Sequence, residues 1–110
     1  MAYQVIDANE IEASHGVFRG LTAPLGVSAF KVNRLELQAG GEGPEHDHGS
    51  NREQEVYAIV AGSGTLRVDG EEVELRPGVF VYCSPEARRQ MCAGTEGLTW
   101  IGIGATGTDA

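Results

Sequence analysis

Residues 44–64 read PEHDHGSNREQEVYAIVAGSG, and this stretch decides the fold of the chain. Two of the chain's three histidines, His46 and His48, lie two positions apart within it. If residues 45–48 are extended, both imidazoles leave the same face of the strand, because side chains alternate along it. The stretch is therefore either part of a metal site or a polar loop that leads into a strand.

The run that follows the histidines supplies carboxylates. Glu53, Glu55 and Tyr57 share one parity, so they would lie on one face of a strand. A hairpin through residues 49–52, GSNR, would bring that face over the histidines. Glu55 is then the expected third ligand, and Glu53 is the alternative.

The rest of the chain has the pattern of many short strands. Leu35 and Leu37 alternate with polar residues, and Asp69-Gly70 separates two alternating runs as a hairpin turn does. The change of parity near Asn33 predicts a bulge there. Further strands are predicted in three stretches: residues 79–83, 89–93 and 98–105. With one short helix near residues 8–13, about eight or nine strands indicate an all-β sandwich or barrel.

The composition suits one soluble domain over residues 1–110. The chain has 110 residues, a formal charge of -8 and only one pair of adjacent basic residues, at 88–89, so nucleic acid is not an expected partner. No apolar run approaches the roughly 20 residues that span a bilayer, and the N-terminal residues lack a signal-peptide pattern. We therefore expect no membrane partner, a cytoplasmic location, and free thiols at Cys83 and Cys92.

These residues resemble the first motif of the cupin family, a glycine, His-x-His, a glutamate and a glycine. Gly40, His46, His48, Glu55 and Gly62 fit it, although six residues separate His48 from Glu55 where the family usually has three or four. The resemblance implies a double-stranded β-helix, or jelly-roll, barrel with a core at about residues 26–104. It also implies a divalent metal inside the barrel, held by three histidines and a glutamate.

The second cupin motif is present without its histidine. Gly70, Pro77-Gly78 and Pro85 resemble its skeleton, and Arg89 stands where the histidine would be, with Arg88 as its neighbour. A fixed guanidinium about 4 Å from a divalent ion would cost roughly 8 kcal/mol at an effective dielectric of about 20. Arg89 must therefore turn away, pair with a carboxylate, or exclude the metal.

Two interpretations of function follow from the resemblance. In the first, His46, His48 and Glu55 hold iron, manganese, zinc or nickel as two imidazoles and one carboxylate. Arg89 then binds the carboxylate or phosphate of a small substrate, with Tyr57 at the barrel mouth, in a dioxygenase-like or isomerase-like enzyme. In the second, the protein is a non-catalytic binding or sensing module without a functional metal, in which Arg89 binds an anion. A simpler alternative is an empty barrel in which Arg89 forms an ion pair with Glu53 or Glu55, or points to solvent with Arg88.

The strand that carries Glu55 has an apolar second face. Val56, Ala58 and Val60 lie on the parity opposite to Glu55, so both faces of this strand should be covered. In a small barrel the apolar face opposite to Glu55 is expected to be covered by another subunit. We therefore predict a homodimer, which the resemblance also implies.

Overall fold

The computed structural model describes residues 2–107, which form one antiparallel sheet of six strands with two short helical segments. The helical segments are a 3₁₀ turn at Ala8–Glu10 and α1 at Thr22–Leu25. The strands are β1 (Phe18–Gly20), β2 (Lys31–Leu37), β3 (Glu53–Val68), β4 (Glu71–Leu75), β5 (Phe80–Cys83) and β6 (Arg89–Thr106). The sheet order is β1-β2-β6-β3-β4, and β5 pairs with β3.

Two long strands, β3 and β6, form the centre of the sheet. They pair antiparallel, from Glu53 opposite Thr106 at one end to Val68 opposite Arg89 at the other. Two register shifts occur between Ile59 and Gly64. The sheet has fewer than eight strands because both long strands are continuous through glycines. β3 runs unbroken from Glu53 to Val68, and β6 contains both predicted runs, 89–93 and 98–105, as one bent strand. At the bend Gly62 has φ 81°, and a Cβ there would lie 2.1 Å from the carbonyl oxygen of Gly97. The long strands therefore bend at glycines rather than end there.

The local turn and helix predictions are largely confirmed. Asp69 and Gly70 have φ values of 48° and 86° and join β3 to β4 in the predicted hairpin. β5 ends at Cys83, and the 3₁₀ turn lies within residues 8–13. The sequence analysis missed α1, a single turn that ends at Gly26 with φ 76°.

The bulge predicted near Asn33 is wrong. β2 pairs with β6 without a register shift, from Lys31 opposite Gly104 to Leu37 opposite Leu98. Residues 27–30 lie outside the strand, so the change of parity in the sequence marks the start of β2 and not an extra residue within it.

The core and a cavity lie next to each other inside the fold. The core consists of buried residues that include Leu66, Leu75 and Leu98, together with Tyr57 and Trp100. The last two also line a cavity of about 350 Å³. Every second side chain of β2 lines that cavity, in the order Lys31, Asn33, Leu35 and Leu37. None of the helices in residues 2–107 is long and apolar enough to cross a membrane.

Candidate metal site in the cavity

The histidine segment runs beside the start of β6, and this corrects the predicted hairpin with β3. The backbone of His46 exchanges two hydrogen bonds of 2.9 Å with that of Arg89. Residues 49–52 do form a turn, in which the N–H of Arg52 donates to the carbonyl of His48 at 2.8 Å. β3 cannot pair with the histidine segment there, because Glu55 already lies between Cys83 of β5 and Gly104 of β6.

Both histidines and Glu55 nevertheless meet inside the cavity. The Nε2 atoms of His46 and His48 lie 3.8 and 3.2 Å from Oε1 of Glu55. The candidate ligand atoms of the three residues all lie within 4.8 Å of one another, so this cluster could hold a metal ion. The three ligands that the sequence analysis named are thus brought together.

The outer ring nitrogen of each histidine faces an acceptor. Nδ1 of His46 lies 3.2 Å from the carbonyl oxygen of Pro44, and Nδ1 of His48 lies 3.2 Å from Oε2 of Glu53. A proton on each Nδ1 would be donated outward, which leaves each Nε2 lone pair directed at Glu55. Metal-binding histidines usually have such an outer acceptor. Glu53, the alternative ligand, is buried behind His48 and lies outside the cluster.

Arg89 takes the second of the three options that the sequence left open. It is 1% exposed, and its Nη2 donates to Oε1 of Glu55 at 2.5 Å. Its Nε donates to the hydroxyl of Tyr57 at 3.1 Å, and Nη1 donates to the carbonyls of Ser84 and Ala87 at 3.0 and 2.7 Å. Arg89 therefore lies in the cavity wall with its donor groups occupied.

Arg88 has a different environment from Arg89. Its side chain is 54% exposed, and it pairs with Glu45 at 3.1 Å and Asp47 at 3.3 Å. Of these two adjacent arginines, Arg89 lines the cavity and Arg88 does not.

The hydrogen bonds in the cluster determine its protonation states. Burial raises the pKa of Glu55, but the proximity of His46 and hydrogen bonds from Tyr57 and Arg89 outweigh burial and lower the pKa to about 2. Glu55 is therefore ionised at neutral pH, the form that binds a metal. Burial and the charge of Glu55 raise the pKa of Tyr57, whose hydroxyl keeps its proton and donates to Glu55 at 2.5 Å. The neighbouring Glu55 carboxylate raises the pKa of His46 against the effect of burial.

The remainder of the cavity wall is mainly apolar. Two polar residues that the sequence analysis missed, Lys31 and Asn33, join the wall from β2. Their shared parity with Leu35 could have identified them, had the start of β2 been placed correctly. Trp100 both packs in the core and lines the cavity. The other apolar lining side chains are Val17, Phe18, Leu35, Leu37, Pro44 and Met91.

Comparison with known proteins identifies the architecture. The family model of the cupin domain matches residues 33–104. A cupin protein from Bacteroides fragilis is 24% identical with a TM-score of 0.84, over 100% of this chain and 89% of that one. A sugar phosphate isomerase of the cupin superfamily from Silicibacter pomeroyi is 21% identical with a TM-score of 0.79, over 94% of this chain and 76% of that one. No curated protein matches the sequence. The predicted double-stranded β-helix fold is confirmed.

Proposed function

This chain belongs to the cupin family, and from that premise we propose that it is a metal-dependent enzyme that acts on a small molecule in its cavity. His46, His48 and Glu55 would hold the ion, for which iron, manganese, zinc and nickel are all suitable with these donors. The observation that carries the proposal is the outward contact of both Nδ1 atoms, which leaves two Nε2 atoms and one carboxylate facing one point.

Each neighbouring residue has a definite role in such a site. Pro44 and Glu53 would fix the tautomer and orientation of the two imidazoles. Tyr57 and Arg89 hold the Glu55 carboxylate in place and ionised. The apolar wall would exclude water from a bound substrate. An ion in this site would leave open coordination positions, at which it would polarise a substrate oxygen or, if it is redox-active, support oxygen chemistry.

An oxygenase-type reaction is the first candidate because the described carboxylates and imidazoles of the cavity already have partners. Isomerisation by proton transfer needs a side chain that can take up and return a proton. The carboxylates and imidazoles that line the cavity are Glu53, Glu55, His46 and His48. Glu55 and the two histidines form the cluster, and Glu53 contacts His48. None of these four described residues is free to transfer a proton, which favours a reaction in which a bound metal would supply the reactivity.

Two further candidates each have one supporting observation. An isomerase is favoured by the structural neighbour from Silicibacter pomeroyi, which is a sugar phosphate isomerase. A metal-free binding module is favoured by the Arg89–Glu55 ion pair, since Arg89 already compensates the charge of the carboxylate.

Metal content tests the proposal directly. We expect near-stoichiometric metal in protein purified without an affinity tag, and its loss in His48→Ala. The matched control is His15→Asn, because His15 lies far from the site in sequence and its φ of 55° is one that asparagine tolerates. Wild-type protein that neither contains metal nor binds added Fe²⁺, Mn²⁺ or Zn²⁺ would contradict the proposal. Oxygen uptake by iron-loaded protein separates the two enzyme classes, since an isomerase consumes none.

We also propose that the protein forms a homodimer through the outer face of β3, β5 and β6. Tyr82 of β5 and Ile103 of β6 both lie opposite Val56 of β3, so the three side chains form a row across the sheet. Phe80 and Val60, at 71% and 49% exposed, extend this face. None of these residues is charged, whereas the chain carries a net charge of -8. Two copies related by a twofold axis could meet here with little electrostatic repulsion.

A further inference from the structure

Lys31 is the only lysine of the chain, and it lies at the edge of the cavity beside the candidate metal site. Its Nζ lies 3.6 Å from Oε2 of Glu53, the same oxygen that faces Nδ1 of His48 at 3.2 Å. A single carboxylate thus separates the ammonium from a candidate metal ligand. The Lys31 side chain is 63% exposed, so it can be reached from solvent.

The two cations of the cavity differ in their availability to a ligand. Arg89 is buried, and its Nε, Nη1 and Nη2 groups all donate to protein acceptors. Lys31 has one ionic contact, at a distance longer than a normal hydrogen bond, so its ammonium can turn toward a bound molecule. Within residues 2–107 the amide of Asn33, the next inward residue of β2, forms no side-chain hydrogen bond with the protein. The side chains of Lys31 and Asn33 can therefore each bind a polar group of a ligand.

The charge balance of the cavity favours an anion once metal is present. Lys31 and Arg89 balance Glu53 and Glu55, while His46 and His48 are neutral when their Nε2 atoms bind a metal. A divalent ion would then give the cavity a net charge of about +2 by this count, inside a chain of net charge -8. A small anion would be attracted specifically to this place.

The polarity of β2 indicates what kind of anion fits. Its inward side chains run Lys31, Asn33, Leu35 and Leu37, at intervals of about 6.7 Å for every second residue of a strand. The sequence of groups is thus cationic, amide, apolar and apolar. A carboxylate with a short apolar body matches this order, whereas the hydroxyl groups of a sugar would lie against leucine and tryptophan side chains without hydrogen-bond partners.

We propose that Lys31 and Asn33 bind the carboxylate of a small substrate whose apolar body lies along Leu35 and Leu37. The single ammonium matches a single negative charge, and the amide of Asn33 supplies a further donor. This inference rests on the proposed metal-dependent function, because the metal provides the excess positive charge. It assigns the anion-binding role to Lys31 in place of Arg89.

The sole lysine allows a direct test by nuclear magnetic resonance. Reductive methylation with ¹³C-formaldehyde keeps the charge of Lys31 and gives one lysine signal, distinct from that of the N-terminal amine. Zinc-loaded protein is titrated with carboxylates from acetate to 4-phenylbutanoate and with the neutral phenylacetamide. We expect phenylacetate to shift the Lys31 signal and to bind at least tenfold more tightly than phenylacetamide, by calorimetry on unmodified protein.

Variants separate the role of Lys31 from a general effect of charge. Lys31→Met should weaken phenylacetate binding at least tenfold, and Lys31→Arg should retain it. Arg34→Met is the matched control, because Arg34 is three positions further along β2 and pairs with Glu36 outside the cavity. It removes the same charge and should leave binding unchanged.

Each remaining outcome has a defined meaning. If metal binds but no carboxylate shifts the Lys31 signal, the anchor is refuted and the metal site stands. If no metal binds, the proposed function itself fails. Tighter, Lys31-dependent binding of ribose 5-phosphate than of any carboxylate would refute the carboxylate class. Equal losses in Lys31→Met and Arg34→Met would refute a specific role for Lys31.

Discussion

Replacing Arg89 by methionine is expected to destabilise the metal-free protein strongly. The substitution removes a cation that is 1% exposed and leaves the Glu55 carboxylate, only 16% exposed, without its ionic partner. Removing one member of a buried ion pair typically costs about 3–5 kcal/mol of unfolding free energy. At about 4 °C per kcal/mol for a domain of this size, Tm should fall by on the order of 12–20 °C.

The same substitution should strengthen the response to metal. Arg89 Nη2 lies 2.5 Å from the Glu55 oxygen. An ion bound to that oxygen at about 2.1 Å would be on the order of 4 Å from the guanidinium. Their repulsion, roughly 8 kcal/mol for a divalent ion at an effective dielectric of about 20, opposes metal binding in the wild type. Without Arg89, the metal would take over as the counter-charge of Glu55, so added Zn²⁺ should raise the Tm of the variant more than that of the wild type.

Thermal unfolding followed by circular dichroism, with and without Zn²⁺, measures both effects. Arg88→Met is the control for charge, because Arg88 is exposed and its ion pairs should contribute about 1 kcal/mol or less. Adding Glu55→Gln to Arg89→Met should recover much of the lost stability, since no uncompensated charge remains. A Tm for Arg89→Met within about 3 °C of the wild type, or a smaller rise with Zn²⁺ in the variant, would refute the reasoning.

Two further predictions concern the outer face and the strand bend. Tyr82→Asp should convert the proposed dimer to a monomer in analytical ultracentrifugation while metal content stays unchanged; a monomeric wild type would contradict the interface. Gly62→Ala should destabilise the protein by about 1–3 kcal/mol more than Gly70→Ala in chemical denaturation. Both glycines have positive φ, at 81° and 86°, but only at Gly62 would a Cβ overlap a backbone oxygen. Equal losses would show that the close approach of Gly97 is easily relieved.

Local patterns in the sequence predicted the features that depend on neighbouring residues. The Asp69-Gly70 turn and the His46–His48 spacing each act over a few positions, and the structure bears out both the hairpin and the convergence of the imidazoles. The sequence named Glu55 as the expected ligand, but it did not predict that Glu53 would contact the outer nitrogen of His48. The two glutamates share one parity, and only the three-dimensional position of His48 between them distinguishes the outer acceptor from the candidate ligand.

Long-range placement accounts for what the sequence did not reveal. The partner of Arg89 is 34 positions away, and the pairing depends on the register between β3 and β6. Lys31 was missed for a related reason. Its inward direction follows from the start of β2, and the apolar residues just before the strand obscured that start.

The continuity of β6 limits where the chain can change in length. Arg89 and Trp100, eleven positions apart on this one strand, both face the cavity. An odd separation would place them on opposite faces if side chains alternated throughout, so the irregular stretch at 94–97 is what brings both to the cavity. A residue inserted within the regularly paired stretch 89–93 would turn Arg89 outward. The turn at 49–52 has no such constraint, since its backbone is outside the sheet. Insertions and deletions should therefore be tolerated in this turn and should disrupt the site in the paired parts of β6.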